Sequence, residues 1–249
     1  MMIDTHCHIY DSEMENAEEI IREALKNDIH MILNGTDPSS NREVLELASK
    51  YDNVHAALGY LYTFADDVTE GDISLLDSQL SDDNVVAVGE IGLDYYITKD
   101  NKDQQKRLFE KMLALAEKHD LPVIVHSRKS MQDTYDILRK HSAVGSLHCY
   151  QGSAEMASQF IKLGFYIGVG GPVTHVNNKK VIKTVKKIDS NHILVETDSP
   201  YLSPEEKRGE QNTPLNLRYI VGKIADVRDM REEEVMELTT GNAKKLFKI

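Results

Sequence analysis

The chain has 249 residues, 41% of them hydrophobic and 28% charged, which is the composition of an ordinary globular protein and excludes a fibrous or low-complexity chain. Its net charge of −12 argues against a broad basic face for long duplex nucleic acid, although bound metal ions could supply local positive charge for a strand end. No apolar run is long enough to span a membrane, and the first residues lack a signal peptide's basic and apolar regions. We therefore expect a cytoplasmic enzyme with no membrane contact and no obligatory protein partner, and the two cysteines fit a reducing compartment.

Short apolar runs recur along the whole chain and predict eight strands. Several, such as 85–88 and 123–125, are apolar at successive positions, which is typical of parallel strands buried on both faces. The predicted strands are residues 2–9, 31–34, 54–58, 85–89, 123–126, 145–148, 165–169 and 193–196.

Between the strands lie segments with apolar residues at helical spacing. They are residues 17–27, 104–119, 131–140 and 154–163, followed by a terminal helix over 231–249. The alternation predicts one domain over residues 1–249, an α/β (β/α)8 TIM-type barrel. A doubly wound open sheet is the alternative, but eight strands without a glycine-rich phosphate loop favour closure.

Imidazole and carboxylate groups follow five of the predicted strands. Such barrels place their active sites at the carboxyl ends of the strands, so these groups should meet. His6 and His8 are two residues apart in an extended segment, so both side chains should point into the barrel. The complete set is His6, His8, Glu90, His126, His148 and Asp198.

Four histidines and two carboxylates suit divalent ions such as Zn²⁺, Mn²⁺ or Fe²⁺, and exceed what one tetrahedral ion needs. Two ions bridged by a carboxylate would use them all, and paired ions suit hydrolytic displacement at phosphorus. Taken alone, a histidine at a strand end is more often a structural residue than a ligand, and a carboxylate there is more often a helix cap. That interpretation fits the remaining histidines, but chance would have to fill five strand ends to explain the set.

Several segments also carry a family resemblance, and they follow one another in order over nearly the whole chain. Asp4-Thr5-His6-Cys7-His8 resembles the opening motif of TatD-family hydrolases, as do later blocks. These blocks are residues 88–96, 122–128, 148–150 and 194–202, and an RGxxNxP loop formed by Arg208, Gly209, Asn212 and Pro214. The resemblance implies a metal-dependent DNase that trims single-stranded ends, acting as a 3′–5′ exonuclease.

The resemblance also implies roles for particular residues. His6, His8 and Asp198 would hold one divalent ion and His126 and His148 the other, with Glu90 as the bridge; Mg²⁺ joins Zn²⁺, Mn²⁺ and Fe²⁺ as a candidate. Glu90 and Asp198 are the candidate catalytic residues, because Asp198 could take the proton of the attacking water. The candidate substrate contacts are Arg208, Arg128 and Tyr95; Arg208 could instead pair with Glu205 or Glu206, and Tyr95, Tyr96 and Tyr201 could simply pack at the rim.

One motif departs from the family. After the third strand, where many members have Gly-x-His-Pro, this chain reads Gly59-Tyr60-Leu61-Tyr62, so Leu61 stands in place of a histidine and Tyr60 or Tyr62 is left to fill the space. A barrel hydrolase of C–N, ester, lactone or aminoacyl-tRNA bonds therefore stays open. So does a non-catalytic binding protein. Barrel hydrolases of C–N, ester and lactone bonds often bridge their metals with a carboxylated lysine at the end of strand four, where this chain has Glu90.

Overall fold

The computed structural model describes residues 1–98 and 100–249, and eight parallel strands form its centre. Seven of them lie within two residues of their predicted bounds, whereas the fourth continues five residues beyond its predicted end because residues 85–94 are all buried. The strands are β1 Met2–Cys7, β2 Ile29–Asn34, β3 Val54–Leu58, β4 Val85–Asp94, β5 Val123–Arg128, β6 Gly145–Leu147, β7 Phe165–Val169 and β8 Ile193–Val195.

Helices separate the strands, as the alternation predicts. Helical periodicity did not identify four of them, which are Pro38–Lys50, Glu70–Gln79, Lys179–Lys187 and Leu217–Arg228. Within the described ranges, no helix is both long enough and apolar enough to cross a membrane. The helices are α1 Ala17–Lys26, α2 Pro38–Lys50, α3 Glu70–Gln79, α4 Lys102–His119, α5 Met131–Leu138, α6 Ala154–Lys162, α7 Lys179–Lys187, α8 Leu217–Arg228 and α9 Glu232–Phe247.

The strand order follows the chain from β1 to β8, which rules out the doubly wound alternative, whose order reverses at a switch point. Contacts between the two ends of the sheet bring it close to a complete barrel. Asp198 N–H donates to His6 O at 2.9 Å, and the Thr5 hydroxyl donates to Val195 O at 3.1 Å. The fold is therefore the (β/α)8 barrel expected from the sequence.

The inside of the barrel is filled by small and branched side chains, including Ile32, Ala57 and Ile124. Helix α9 covers the amino-terminal end of the barrel, where Phe247 packs against this interior cluster. Asn242 of the same helix donates to Ile193 O at the start of β8. With that end closed, the carboxyl ends of the strands form the other, open end of the barrel.

Candidate metal centre

The six predicted metal ligands meet at the carboxyl ends of the strands. Five of them are buried, and the His126 side chain keeps 18% of its surface exposed. Strand alternation aims His6 and His8 of the β1 end inward together, as expected for a pair two residues apart. Glu90 lies inside β4, next to an irregularity in the β4–β5 register between Val88 and Ile91.

Four donor atoms face one another on one side of Glu90. His6 Nε2 lies 3.1 Å from His8 Nε2 and 3.3 Å from Asp198 Oδ1. Glu90 Oε2 lies 3.4 Å from His8 Nε2 and 3.6 Å from His6 Nε2. The four side chains thus form one group of ligand atoms, to which Glu90 contributes a single oxygen.

The other Glu90 oxygen faces a second group. Glu90 Oε1 lies 2.9 Å from His126 Nδ1 and 2.9 Å from His148 Nε2, and these two nitrogens are 3.0 Å apart. Glu90 therefore stands between two groups of histidine nitrogens and directs one carboxylate oxygen at each. This is the arrangement that a carboxylate bridging two ions requires.

The donor set fits divalent ions on chemical grounds. In each group the ring nitrogens point at one another, so unshared electron pairs converge in a buried space. Four ligands bound at about 2.0–2.2 Å around one ion are about 3.3–3.6 Å apart, and the separations in the first group, from 3.1 to 3.7 Å, lie around this range. An ion between the nitrogens would satisfy them all, whereas protons could satisfy only some.

Backbone and carboxylate partners orient two of the rings. His8 Nδ1–H donates to Asn34 O at 2.9 Å, which leaves Nε2 free to bind an ion. His126 Nε2–H donates to Asp94 Oδ2 at 3.2 Å, which leaves Nδ1 free. Asp94 was not predicted as a site residue, although it belongs to the family motif over 88–96.

Glu196 is a further buried carboxylate beside the cluster, and it also went unpredicted. It accepts a hydrogen bond from Cys149 N–H, and its Oε1 lies 3.7 Å from His148 Nδ1. Gly168 makes room for it, because a Cβ at that position would lie 2.2 Å from Glu196 Oε2. Gly168 lies within β7, and this close approach to Glu196 is a reason for glycine there.

Both carboxylates of the cluster are held in the charged form. Burial raises the pKa of Glu90, but the electrostatic interaction with the neighbouring imidazoles of His148 and His6 outweighs burial and brings this pKa well below its ordinary value. Burial likewise raises the pKa of Asp198, and the hydrogen bond from His6 reverses the direction, so the net shift is downward. At neutral pH the cluster therefore presents ionised carboxylates to a cation.

A cavity of about 920 Å³ opens above the cluster. Its wall includes three cationic side chains, Arg128, Lys129 and Lys180, although the chain as a whole is acidic. Four tyrosines also line it, namely Tyr10, Tyr62, Tyr96 and Tyr201. The cavity thus offers both positive charge and aromatic surface around the ligand atoms.

The departure at Leu61 falls in this cavity. Leu61 lines the wall, and the ring centroid of Tyr62 lies 5.2 Å from that of His126. Tyr60 is buried and donates its hydroxyl to Asp72 O at 2.7 Å. Of the two tyrosines that the sequence left open, Tyr62 is the one that faces the site.

Of the three predicted substrate contacts, the structure brings only Arg128 to the cavity. Tyr95 is buried and donates its hydroxyl to Asp133 at 2.8 Å, and neither Tyr95 nor Arg208 lines the cavity. The Arg208 side chain is 65% exposed, with its guanidinium 2.7 Å from Glu205, which is the surface pairing considered as its alternative. The neighbour of Tyr95, Tyr96, occupies the cavity wall instead.

Comparison with known proteins agrees with this architecture. The profile of the family described as TatD related DNase matches residues 3–248. The chain is 38% identical to the uncharacterized metal-dependent hydrolase YabD of Bacillus subtilis, over all of both chains. It is 34% identical to the uncharacterized metal-dependent hydrolase BU355 of Buchnera aphidicola, over 100% of this chain and 99% of the relative. The crystal structure of YjjV, a TatD homologue from Escherichia coli, superposes with a TM-score of 0.92 at 29% identity, over 100% of this chain and 98% of that one.

Proposed function

The chain belongs to the TatD-related DNase family and is a metal-dependent hydrolase, and we propose that it cleaves phosphodiester bonds at the ends of single-stranded DNA, in the manner of a 3′–5′ exonuclease. The position of Glu90 carries this proposal. Its two oxygens face two separate groups of ligand atoms, so we assign two divalent ions per chain. Mg²⁺, Mn²⁺, Zn²⁺ and Fe²⁺ are all compatible with these nitrogen and oxygen donors.

The six residues would hold the ions as two groups. His6, His8 and Asp198 form one and His126 and His148 the other, with Glu90 shared. A bound ion pair supplies Lewis-acid activation of water and neutralises charge developing at phosphorus.

The protein's own groups then divide the remaining work. Asp198 is ionised and has its Oδ1 3.3 Å from His6 Nε2, so it is placed to accept the proton of the attacking water. Arg128 is placed to meet the negative charge of the phosphate from the cavity wall. Buried partners hold the rings of His8 and His126 in place, so little reorganisation is needed as charge develops.

The cavity supports a strand end as the substrate. Arg128, Lys129 and Lys180 attract a polyanion locally, while the overall charge of −12 disfavours contact with a long duplex. The tyrosines of the wall offer ring faces to bases that are not paired. We place the activity in the cytoplasm, a prediction that cell fractionation would test.

The decisive experiment uses end-labelled single-stranded DNA. Chelator-treated protein is compared with protein reloaded with each of the four ions, and with a Glu90→Gln variant purified in the same way. We expect stepwise shortening that needs the ion and is at least about 100-fold slower in Glu90→Gln, because the bridge loses its charge. Glu155→Gln, at an exposed carboxylate on α6, is the matched control and should behave as wild type.

Intact DNA would contradict the proposal if calorimetry on the same sample shows two bound ions. The ligand assignment would then stand and the substrate would be another one. Ester, amide and aminoacyl-tRNA substrates would be tested next. Leu61 is the first position to examine, because it lines the cavity at the place where many family members have a histidine.

A further inference from the structure

An exposed tyrosine and an arginine form a pair at the mouth of the cavity. Tyr96 keeps 59% of its surface exposed, and the Arg128 guanidinium carbon lies 4.0 Å from the centre of its ring. Both residues line the cavity wall. The pair therefore offers a planar surface that carries positive charge at the entrance to the site.

The backbone on both sides of this pair is anchored. Tyr96 N–H and Ile97 N–H both donate to Asp94 Oδ1, at 2.7 and 3.0 Å. Tyr95 N–H donates to Arg128 O at 2.9 Å, and Asp94 is the register partner of Arg128 in the sheet. The β4 and β5 ends thus hold the two side chains next to each other. Less conformational entropy is lost on binding to such a preorganised surface.

The same carboxylate connects the pair to the metal centre. Asp94 accepts from Tyr96 N–H through Oδ1 and from His126 Nε2–H through Oδ2. A group stacked on Tyr96 is consequently one side chain away from a metal ligand. In a nucleotide, a single sugar separates the base from its phosphate, so a base on Tyr96 would bring the adjoining phosphodiester toward the cluster.

We propose, building on the phosphodiesterase function proposed above, that Tyr96 and Arg128 form a stacking subsite for one unpaired nucleobase. Aromatic rings and guanidinium planes both stack on bases, whatever the base, because every base has a π face. Arginine suits this role better than lysine, since its charge is spread over a plane. A base inside a duplex has both faces covered by its neighbours, so the subsite selects frayed or single-stranded ends.

The test compares oligodeoxynucleotides that differ in one terminal residue, which is either a normal nucleotide or its abasic analogue. One pair of strands carries the change at the 3′ end and a second pair at the 5′ end. In one of the two pairs, we expect ion-loaded wild type to cleave the normal strand with a kcat/KM about 5- to 100-fold higher than the abasic strand. This is the range that stacking of one base supports. Tyr96→Leu and Arg128→Lys should bring this ratio toward one.

The chain provides a matched control in Tyr219, on α8. The Arg218 guanidinium lies 4.8 Å from its ring centre, so the same kind of pair is present, but neither residue lines the cavity. Tyr219→Leu should keep the wild-type ratio. Thermal unfolding of each variant verifies that all of them are folded at the assay temperature.

A binding measurement separates this subsite from the catalytic proposal. A strand with a terminal 2-aminopurine is titrated with protein in chelator, so that no cleavage occurs; stacking quenches the fluorescence of the base. We expect quenching by wild type and by Tyr219→Leu, and much less by Tyr96→Leu. If Tyr96→Leu keeps both the quenching and the ratio, the subsite is wrong while the phosphodiesterase proposal stands. If wild type cleaves no strand, the phosphodiesterase proposal fails, and the subsite fails too unless the quenching depends on Tyr96.

Discussion

Asp94 Oδ2 lies 3.2 Å from His126 Nε2 and thereby determines which nitrogen of that ring is available to an ion. In the neutral ring, Nε2–H donates to the carboxylate, so Nδ1 is unprotonated and points at His148 and Glu90. A carboxylate in this position also makes the imidazole a stronger ligand.

Asp94→Asn should therefore weaken the binding of one ion and leave the binding of the other unchanged. The asparagine oxygen can still accept from Tyr96 N–H, but its amide would face His126 with a donor and favour the tautomer that protonates Nδ1. We expect the ion at His126 to bind about 10- to 100-fold more weakly. Calorimetric titration with Mn²⁺ or Zn²⁺ measures both sites. Asp133→Asn, at a partly exposed carboxylate on α5, is the control, and unchanged affinity at both sites in Asp94→Asn would rule out this role.

Gly168→Ala should destabilise the fold through a local clash. Its Cβ would lie 2.2 Å from Glu196 Oε2 and 3.0 Å from Leu147 O, both closer than ordinary van der Waals contact. Overpacking of this kind costs about 1–3 kcal/mol in the free energy of unfolding, which denaturant titration reports. Gly241→Ala is the control, because nothing lies within 4 Å of its Cβ and it belongs to α9, where alanine should stabilise by about 0.5–1 kcal/mol.

Glu196→Ala in the Gly168→Ala background provides the second half of that test. Removing the carboxylate relieves the clash. Glu196→Ala should therefore lower the free energy of unfolding less in the Gly168→Ala background than in wild type. Equal costs in both backgrounds would show that the two side chains do not interact.

A pair of histidines outside the metal centre predicts a dependence of stability on pH. His30 and His55, on neighbouring strands, have ring centroids 6.0 Å apart. Burial lowers the pKa of His30, and burial together with His30 lowers the pKa of His55. At these two positions the folded state thus binds fewer protons than the unfolded state. The free energy of unfolding therefore has its full value above the ordinary histidine pKa and falls as the pH drops below that pKa.

The double variant His30→Gln/His55→Gln should lose part of this acid sensitivity. Unfolding is followed in chelator from pH 7.5 down to about pH 5, which brackets the ordinary histidine pKa. The wild-type minus variant difference removes the contribution of the ligand histidines, which both proteins share. A flat difference over this range would contradict the prediction.

Ion binding should stabilise the folded chain, because the ligand atoms come together only when the strands do. At an ion concentration about 100 times the dissociation constant, the gain is about 2.7 kcal/mol per site. For a chain of this length that corresponds to a rise in Tm of roughly 5–10 °C over chelator-treated protein. Glu90→Gln should lose most of this rise, since it supplies an oxygen to both groups, and a full rise in that variant would argue against the bridge.

Much of the barrel and of the ligand set follows from local patterns in the sequence. Parallel strands buried on both faces read as apolar runs, and in a barrel their carboxyl ends meet at one face, which is why His6, His8, His126 and His148 could be named from position alone. The true length of β4 could not be read in this way, because Gly89 and Glu90 interrupt its apolar run.

Tertiary structure decided the contacts that depend on register and on loop paths. Nothing local distinguishes Tyr95 from Tyr96, yet the sheet turns Tyr95 toward Asp133 and leaves Tyr96 at the cavity. Arg208 fits a family motif by sequence, but its nearest carboxylate is Glu205, three residues away. The placement of one Glu90 oxygen toward each group of histidines arises only when strands far apart in the chain close around it, because these distances are set by packing across the barrel.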